Sequence, residues 1–193
     1  MRAIKVADSL DREAWLTARA EGITASDAAK LAKASSIDSI VKAKFHNDFV
    51  GNPATEWGLQ REEFLLNWAG FPQNTFLYAS ADEPRFMATP DGILMSEVDG
   101  TIQLCQAKTS SKPLTSIPPN YLRQVQWEMM VMDANSVWLV WEQHQDFVPV
   151  DLEPIKILIH RDEKIIAELK ELGYELLARL ENAKAFREEM NND

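Results

Sequence analysis

Asp91, in the run Thr89-Pro90-Asp91-Gly92, and Gln106-Ala107-Lys108, whose first residue lies fifteen positions further on, are the residues of this chain best suited to chemistry. Carboxylates that converge on a divalent ion offer hard oxygen donors, and Mg²⁺ held this way on a phosphodiester prepares it for attack by water. A lysine beside the second donor orients that water and offsets the charge developing on the phosphate. The two runs admit two readings: metal-assisted phosphodiester hydrolysis, with Asp91 and position 106 as metal donors and Lys108 beside the water, or a common Pro-Asp-Gly turn and a lysine that merely ends a strand. One member departs from the first reading, because Gln106 stands where it wants a carboxylate. A glutamine carbonyl still reaches a metal but lacks the charge that makes a Mg²⁺ site bind. The swap is nearly isosteric, so it predicts an intact fold and intact substrate binding with a steep fall in turnover. Two origins fit it: a natural member with a weakened or relocated site, or an inactivating replacement that traps substrate. The other members of the pattern, Asp91 and Lys108, are intact, which leans towards the second.

The elements that must position these groups follow from the flanking sequence. Pro90-Asp91-Gly92 reads as a turn holding Asp91 at a strand end. Alternation along 101–108 puts Leu104, Gln106 and Lys108 on one face of a strand. Further strands are expected over 75–79, 85–88, 136–142 and 155–160, and 112–119 is a loop by its prolines. Thr24 and Ser26 read as amino-terminal caps of a helix carrying Ala28, Leu31 and Ala32, and a second helix spans 36–49 until Val50-Gly51-Asn52-Pro53 breaks it. A third, over 56–69, is amphipathic, with Trp57, Phe64, Leu65 and Trp68 on or near its apolar face. A fourth runs over 120–132, and a long last helix spaces Ile165, Leu169, Leu172, Leu176 and Leu180 at helical period. A central mixed β-sheet flanked by helices is the α/β architecture consistent with this order.

Composition bounds the possibilities. A chain of 193 residues with 46% hydrophobic content suits one globular domain over 1–193. No apolar run is long enough to span a bilayer and no signal-peptide pattern opens the chain, so no membrane association and a cytoplasmic location are expected. The single cysteine, Cys105, excludes an internal disulfide and a cysteine-held iron–sulfur cluster. His46, His144 and His160 show no ligand spacing and read as structural. The net charge of −10 opposes a polyanionic partner. Part of the acid lies in residues 161–193, however. Arg12, Arg19, Lys42, Lys44, Arg61, Arg85, Lys108, Lys112 and Arg123 lie around the motifs and would present a positive surface if they line one cleft.

Five ordered motifs give these residues a context. Trp15-Leu16-Thr17-Ala18-Arg19 with Gly22-Ile23-Thr24-Ala25-Ser26, then Gly58-Leu59-Gln60-Arg61-Glu62, Thr89-Pro90-Asp91-Gly92, Gln106-Ala107-Lys108 and Tyr121-Leu122-Arg123-Gln124-Val125-Gln126 resemble, in order, the motifs of the lambda exonuclease and YqaJ family of phage recombination nucleases. That family is part of the Asp…(Asp/Glu)-x-Lys nuclease superfamily with its restriction-endonuclease-like core. The resemblance implies a Mg²⁺-dependent 5′→3′ exonuclease, with Mn²⁺ as a substitute, acting on double-stranded DNA ends and leaving a 3′ single strand for an annealing partner protein. It implies Glu62, Asp91 and Gln106 around the metal, and Lys108 and Gln124 at the active centre. Arg19 and Ser26 become the pocket for the 5′-terminal phosphate, suiting a guanidinium fork and a hydroxyl beside a helix amino terminus. Arg61, Lys112, Tyr121 and Arg123 become candidate DNA contacts, and the assembly a ring-shaped homotrimer around its substrate. The six tryptophans fit core and subunit contacts better than base stacking, unless Trp57 is exposed. A different reading of the same residues is a non-catalytic DNA-end-binding scaffold that recruits the annealing protein.

Overall fold

The computed structural model of the chain describes residues 3–45, 52–96, 98 and 100–192. Its strands form two mixed sheets rather than the single one expected. The smaller runs β1 (Ile4–Asp8), β3 (Phe76–Ala79), β4 (Phe86–Ala88), β2 (Ile23–Thr24). The larger runs β5 (Gly92–Met95), β6 (Ile102–Ser110), β7 (Ser136–Gln145), with the short β8 (Val148–Pro149) and β9 (Ile155–His160) both paired to β7. Helices α1 (Arg12–Glu21), α2 (Ala25–Ala28), α3 (Ile37–Phe45), α4 (Pro53–Ala69), α5 (Pro119–Met132) and α6 (Glu163–Asn192) pack around them. None of the described helices is long and apolar enough to cross a membrane.

The parallel pair β6–β7 organises the larger sheet because both of its faces are covered. On one face Leu104, Val137 and Leu139 join Val125, Trp127 and Met129 of α5 in the main core. On the other, Cys105 and Val140 pack with Leu65, Leu66 and Ala69 of α4 and with Phe71. Alternation along β6 thus turns Leu104, Gln106 and Lys108 to the α5 side, as the sequence pattern requires. Trp127 ties α5 to the smaller sheet, donating from Nε1 to the Met87 carbonyl at 3.0 Å with its ring centroid 4.7 Å from that of Phe86.

Several boundaries depart from the sequence reading. Thr24, not Ser26, caps α2, forming a reciprocal capping box with Asp27, and the helix ends at Ala28 before reaching Leu31 or Ala32. Gly22 makes this entry possible, since a Cβ there would lie 2.3 Å from the Arg85 carbonyl oxygen that Ile23 N uses to join β2 to β4. The tail of the helix expected over 36–49, with His46 and the Val50-Gly51 break, lies outside the described residues. Asn52 and Pro53 start α4 rather than merely ending its predecessor, with Asn52 accepting at its side chain from Thr55 N. Its buried face is Leu65, Leu66 and Ala69, whereas Phe64 and Trp68 are exposed, because the sheet meets the stripe offset from the aromatic one.

Candidate metal centre

The turn carrying Asp91 is built from two sides. Gly92 pairs with Cys105 across the β5–β6 ladder, and a Cβ on it would come within 3.0 Å of the Leu66 and Phe71 side chains, so glycine lets α4 press close to the turn. From behind, Asn74 pins the same turn. Its Nδ2 donates to the carbonyls of Pro90 and Phe76 at 2.9 Å each, and its backbone N donates to the Asp91 carbonyl at 2.8 Å. The Asp91 carboxylate is thereby presented to β6, where Oδ2 accepts from Gln106 Nε2 at 2.6 Å and from Ala107 N at 2.8 Å. Glu62 enters from α4 and accepts at 3.1 Å from Gln73 Nε2, and Gln73 itself bridges to Gly92. Lys108 Nζ lies 5.4 Å from the ring centroid of Tyr121, which stands edge-on to Trp141. Gln124, one helical turn beyond Tyr121, donates to Glu128 Oε1 at 3.0 Å.

The electrostatics of these groups are coupled. Burial pushes the Asp91 carboxyl above the ordinary carboxylate range, against the Lys108 charge and the hydrogen bonds from Ala107 and Gln106. Burial and then the Asp91 charge raise Glu62 to about 7, with the Gln73 bond and Lys108 opposing. The same two causes raise Glu128 to about 8, opposed by Lys108 and Gln124. Burial raises the Cys105 thiol to about 12, so this cysteine is inert. Acids that resist ionising beside one another mark a place short of positive charge. Gln106 Oε1 and Glu128 Oε2 are also buried without a hydrogen-bond partner among the described residues. Hard, electron-rich and underpaired oxygens are the donor set a divalent cation such as Mg²⁺ takes, so the residues fit the ion. The set is mixed: no three His, Cys, Asp or Glu among the described residues stand at metal-holding spacing.

The motif order and this geometry have a counterpart among known proteins. The family model of the YqaJ-like viral recombinase domain matches residues 14–135, more than half of the chain. The chain belongs to that family. It shares its fold with the alkaline exonuclease LHK-Exo from Laribacter hongkongensis, at 24% identity and TM-score 0.71 over 93% of this chain and 98% of that one. The same enzyme in complex with dAMP matches at 23% identity with the same TM-score and coverage. A phage-related exonuclease from Haemophilus somnus 129PT matches at 17% identity and TM-score 0.61, covering 80% of this chain and 83% of that one. No curated protein matches the chain.

The other residues singled out in this YqaJ-like domain divide into free and engaged. The Arg19 guanidinium lies 4.3 Å from the ring centroid of Trp15; burial lowers its pKa, with Asp27 opposing. Lys44 joins the group, with Nζ 2.9 Å from Asp27 Oδ2 and donating to the Arg19 carbonyl at 3.3 Å. Ser26 is exposed within α2. Arg61 is bound in a fork to Glu142, with Nε to Oε1 at 2.9 Å and Nη2 to Oε2 at 2.5 Å, and Arg123 donates twice to the Ala29 carbonyl, at 3.1 and 2.9 Å. Arg85 is paired with Glu83 and Glu181. Much of the expected positive lining is therefore ion-paired or hydrogen-bonded by the protein's own groups, leaving Arg12, Lys42 and Lys112 exposed. Trp57 is half-buried against His144 and Phe147, with centroids 6.0 Å away in each case.

Sequence reasoning missed three members of the site: Gln73, Asn74 and Glu128. The first two sit in a loop without a motif. Glu128 carried a usable signal, being a lone carboxylate inside Val125-Gln126-Trp127-Glu128-Met129-Met130-Val131-Met132.

Proposed function

We propose that this protein is a Mg²⁺-dependent 5′→3′ exonuclease of a phage-type recombination system. In this reading it acts on double-stranded DNA ends, leaves a 3′ single strand for an annealing protein, and is attenuated by Gln106. The observation that carries the reading is the meeting of Asp91 and Gln106 beside Lys108, with Glu62 within the electrostatic reach of both charges. Asp91, Glu62 and the Gln106 carbonyl would hold Mg²⁺, which when bound supplies Lewis-acid polarisation of the scissile phosphate. Lys108 orients the attacking water and offsets charge on the phosphate. Tyr121, with Trp141 edge-on to it, lies beside the lysine on the α5 side. Arg19 and Ser26, the exposed residue of α2, hold the 5′-terminal phosphate. Exposed apolar residues along β1 and α4, such as Ile4, Val6, Leu59 and Phe64, support contact between copies in a closed homotrimer. A cytoplasmic location belongs to the same reading.

One observation favours the scaffold alternative. The Gln106 amide donates to Asp91 Oδ2 at 2.6 Å and so occupies an oxygen the metal would use. Digestion of 5′-phosphorylated duplex DNA with Mg²⁺, by this chain beside its Gln106→Glu form, separates the two. The replacement frees Asp91 and restores a charged donor, so the rate should rise by about 10²–10³. Absence of digestion by both forms, with end binding retained, would establish the scaffold instead.

A further inference from the structure

We infer that Glu128 supplies, from helix α5, the anionic metal donor that strand β6 lacks at Gln106, so that the metal-binding charge of the site has moved rather than vanished. The inference rests on the metal reading of the Asp91 site and deepens it.

Glu128 is fully buried, where a carboxylate is seldom found without a partner. It projects from α5, the helix packed on the Gln106 and Lys108 side of β6, and it lies within the electrostatic reach of both Asp91 and Lys108. Its Oε1 accepts from Gln124, and its Oε2 has no partner among the described residues. Gln106 Oε1 is in the same condition. Two buried oxygens on facing elements, each lacking a donor among the described residues, are atoms that a water, a proton or a cation can answer, and with Asp91 and Lys108 in electrostatic reach we assign the cation. A structural role would look different, and the same helix supplies the contrast. Gln126, two residues earlier and equally buried, is satisfied at both ends, donating to the His160 carbonyl at 2.9 Å and accepting from Asp162 N at 2.8 Å. Position 124 then acquires a role as well: the Gln124 amide holds one oxygen of Glu128 and leaves the other free.

The division of labour is distinct from the effect of Gln106 on turnover. Gln106 ties up Asp91, whereas Glu128 restores the negative charge that holds the ion. Metal affinity, not rate, is therefore the quantity to measure. Mn²⁺ binding to the whole chain by electron paramagnetic resonance, without DNA, should be saturable. It should weaken at least tenfold in Glu128→Gln, a near-isosteric change that keeps the place beside Gln124. Adding Gln106→Glu to that variant should recover most of the loss, because either position can seat the carboxylate. Equal Mn²⁺ affinity in Glu128→Gln and the parent, or no Mn²⁺ binding by the parent, overturns the inference. Should Glu128→Gln fail to fold, Fe²⁺-directed oxidative cleavage of the parent chain decides. Cuts near 91, 106 and 128 that Mg²⁺ suppresses support the assignment, and cuts confined to 91 and 106 refute it. A failure here leaves the nuclease rates of the parent and Gln106→Glu to be judged separately.

Discussion

Helix α5 separates two buried polar regions that differ in one respect. On the side of β9 and α6, Gln126 closes on His160 and Asp162, and Arg161 donates to the Met129 carbonyl at 2.8 Å. On the side of β6, Glu128 and Gln106 each keep an oxygen open, beside Asp91 and Glu62, whose ionisation burial opposes. The first region is answered by the protein's own groups. The second is incomplete, and an incomplete buried polar cluster costs stability unless a ligand closes it. Burial of a polar group therefore does not distinguish the two regions; an unanswered carboxylate or amide oxygen does.

Four changes would break or sharpen that contrast. The largest effect is expected in the open region. In a Gln106→Glu background, Asp91→Asn should lower the nuclease rate by at least about 10²–10³, because it removes the charged oxygen donor that the metal reading assigns to this position. Gel-resolved digestion with Mg²⁺ reads this directly, and a rate within a few-fold of the background would remove Asp91 from the site. Next, in the same background, Arg19→Ala should lose about ten- to a hundredfold of any preference for phosphorylated over hydroxyl 5′ ends, the worth of a hydrogen bond to a charged group. An unchanged preference would move the phosphate pocket elsewhere.

The closed region should answer in stability alone. Gln126→Ala strands the His160 carbonyl and Asp162 N and should cost about 1–3 kcal/mol in denaturant unfolding, with Mn²⁺ affinity unaltered. A loss of metal affinity there would erase the distinction between the regions. The smallest effect is on pH dependence. Glu62 and Glu128 stand at about 7 and about 8 in the folded chain, above the ordinary 4.5, so the folded state binds protons more tightly than the unfolded. Their contribution is present in full below about 4.5 and is lost as pH rises through about 7 and about 8. Thermal melts in chelator should therefore show stability falling across that window, and Glu128→Gln should remove the upper part of the fall. A melting temperature that rises with pH over the same range would contradict the assignment.

How much of this was legible depended on whether a signal was local. Strands β3, β4, β6 and β9 and helices α4, α5 and α6 follow from periodicity and from Pro and Gly punctuation, and β9 coincides with its expected bounds. The strands β1, β5 and β8 were not legible, since each is short and finds its partner far away or across a turn. Alternation correctly put Gln106 and Lys108 on one side of β6. It could not show that the Gln106 amide would settle on Asp91, which depends on where Asn74 holds a distant turn. The basic residues were misleading for a related reason: Lys44, Arg61 and Arg85 read as free charge in a list, and the fold pairs each with an acid.

By itself the sequence determined the family, through motifs whose order and spacing are properties of the chain, and it put a glutamine at position 106. Tertiary structure alone decided what surrounds that glutamine. The apolar run around Glu128 signals its burial in the sequence. What the letters do not carry is the reach of Asp91 and Lys108 and the oxygen without a donor. These arise only when α5 is laid against β6, because desolvation and pairing depend on which atoms surround a group rather than on its neighbours in sequence.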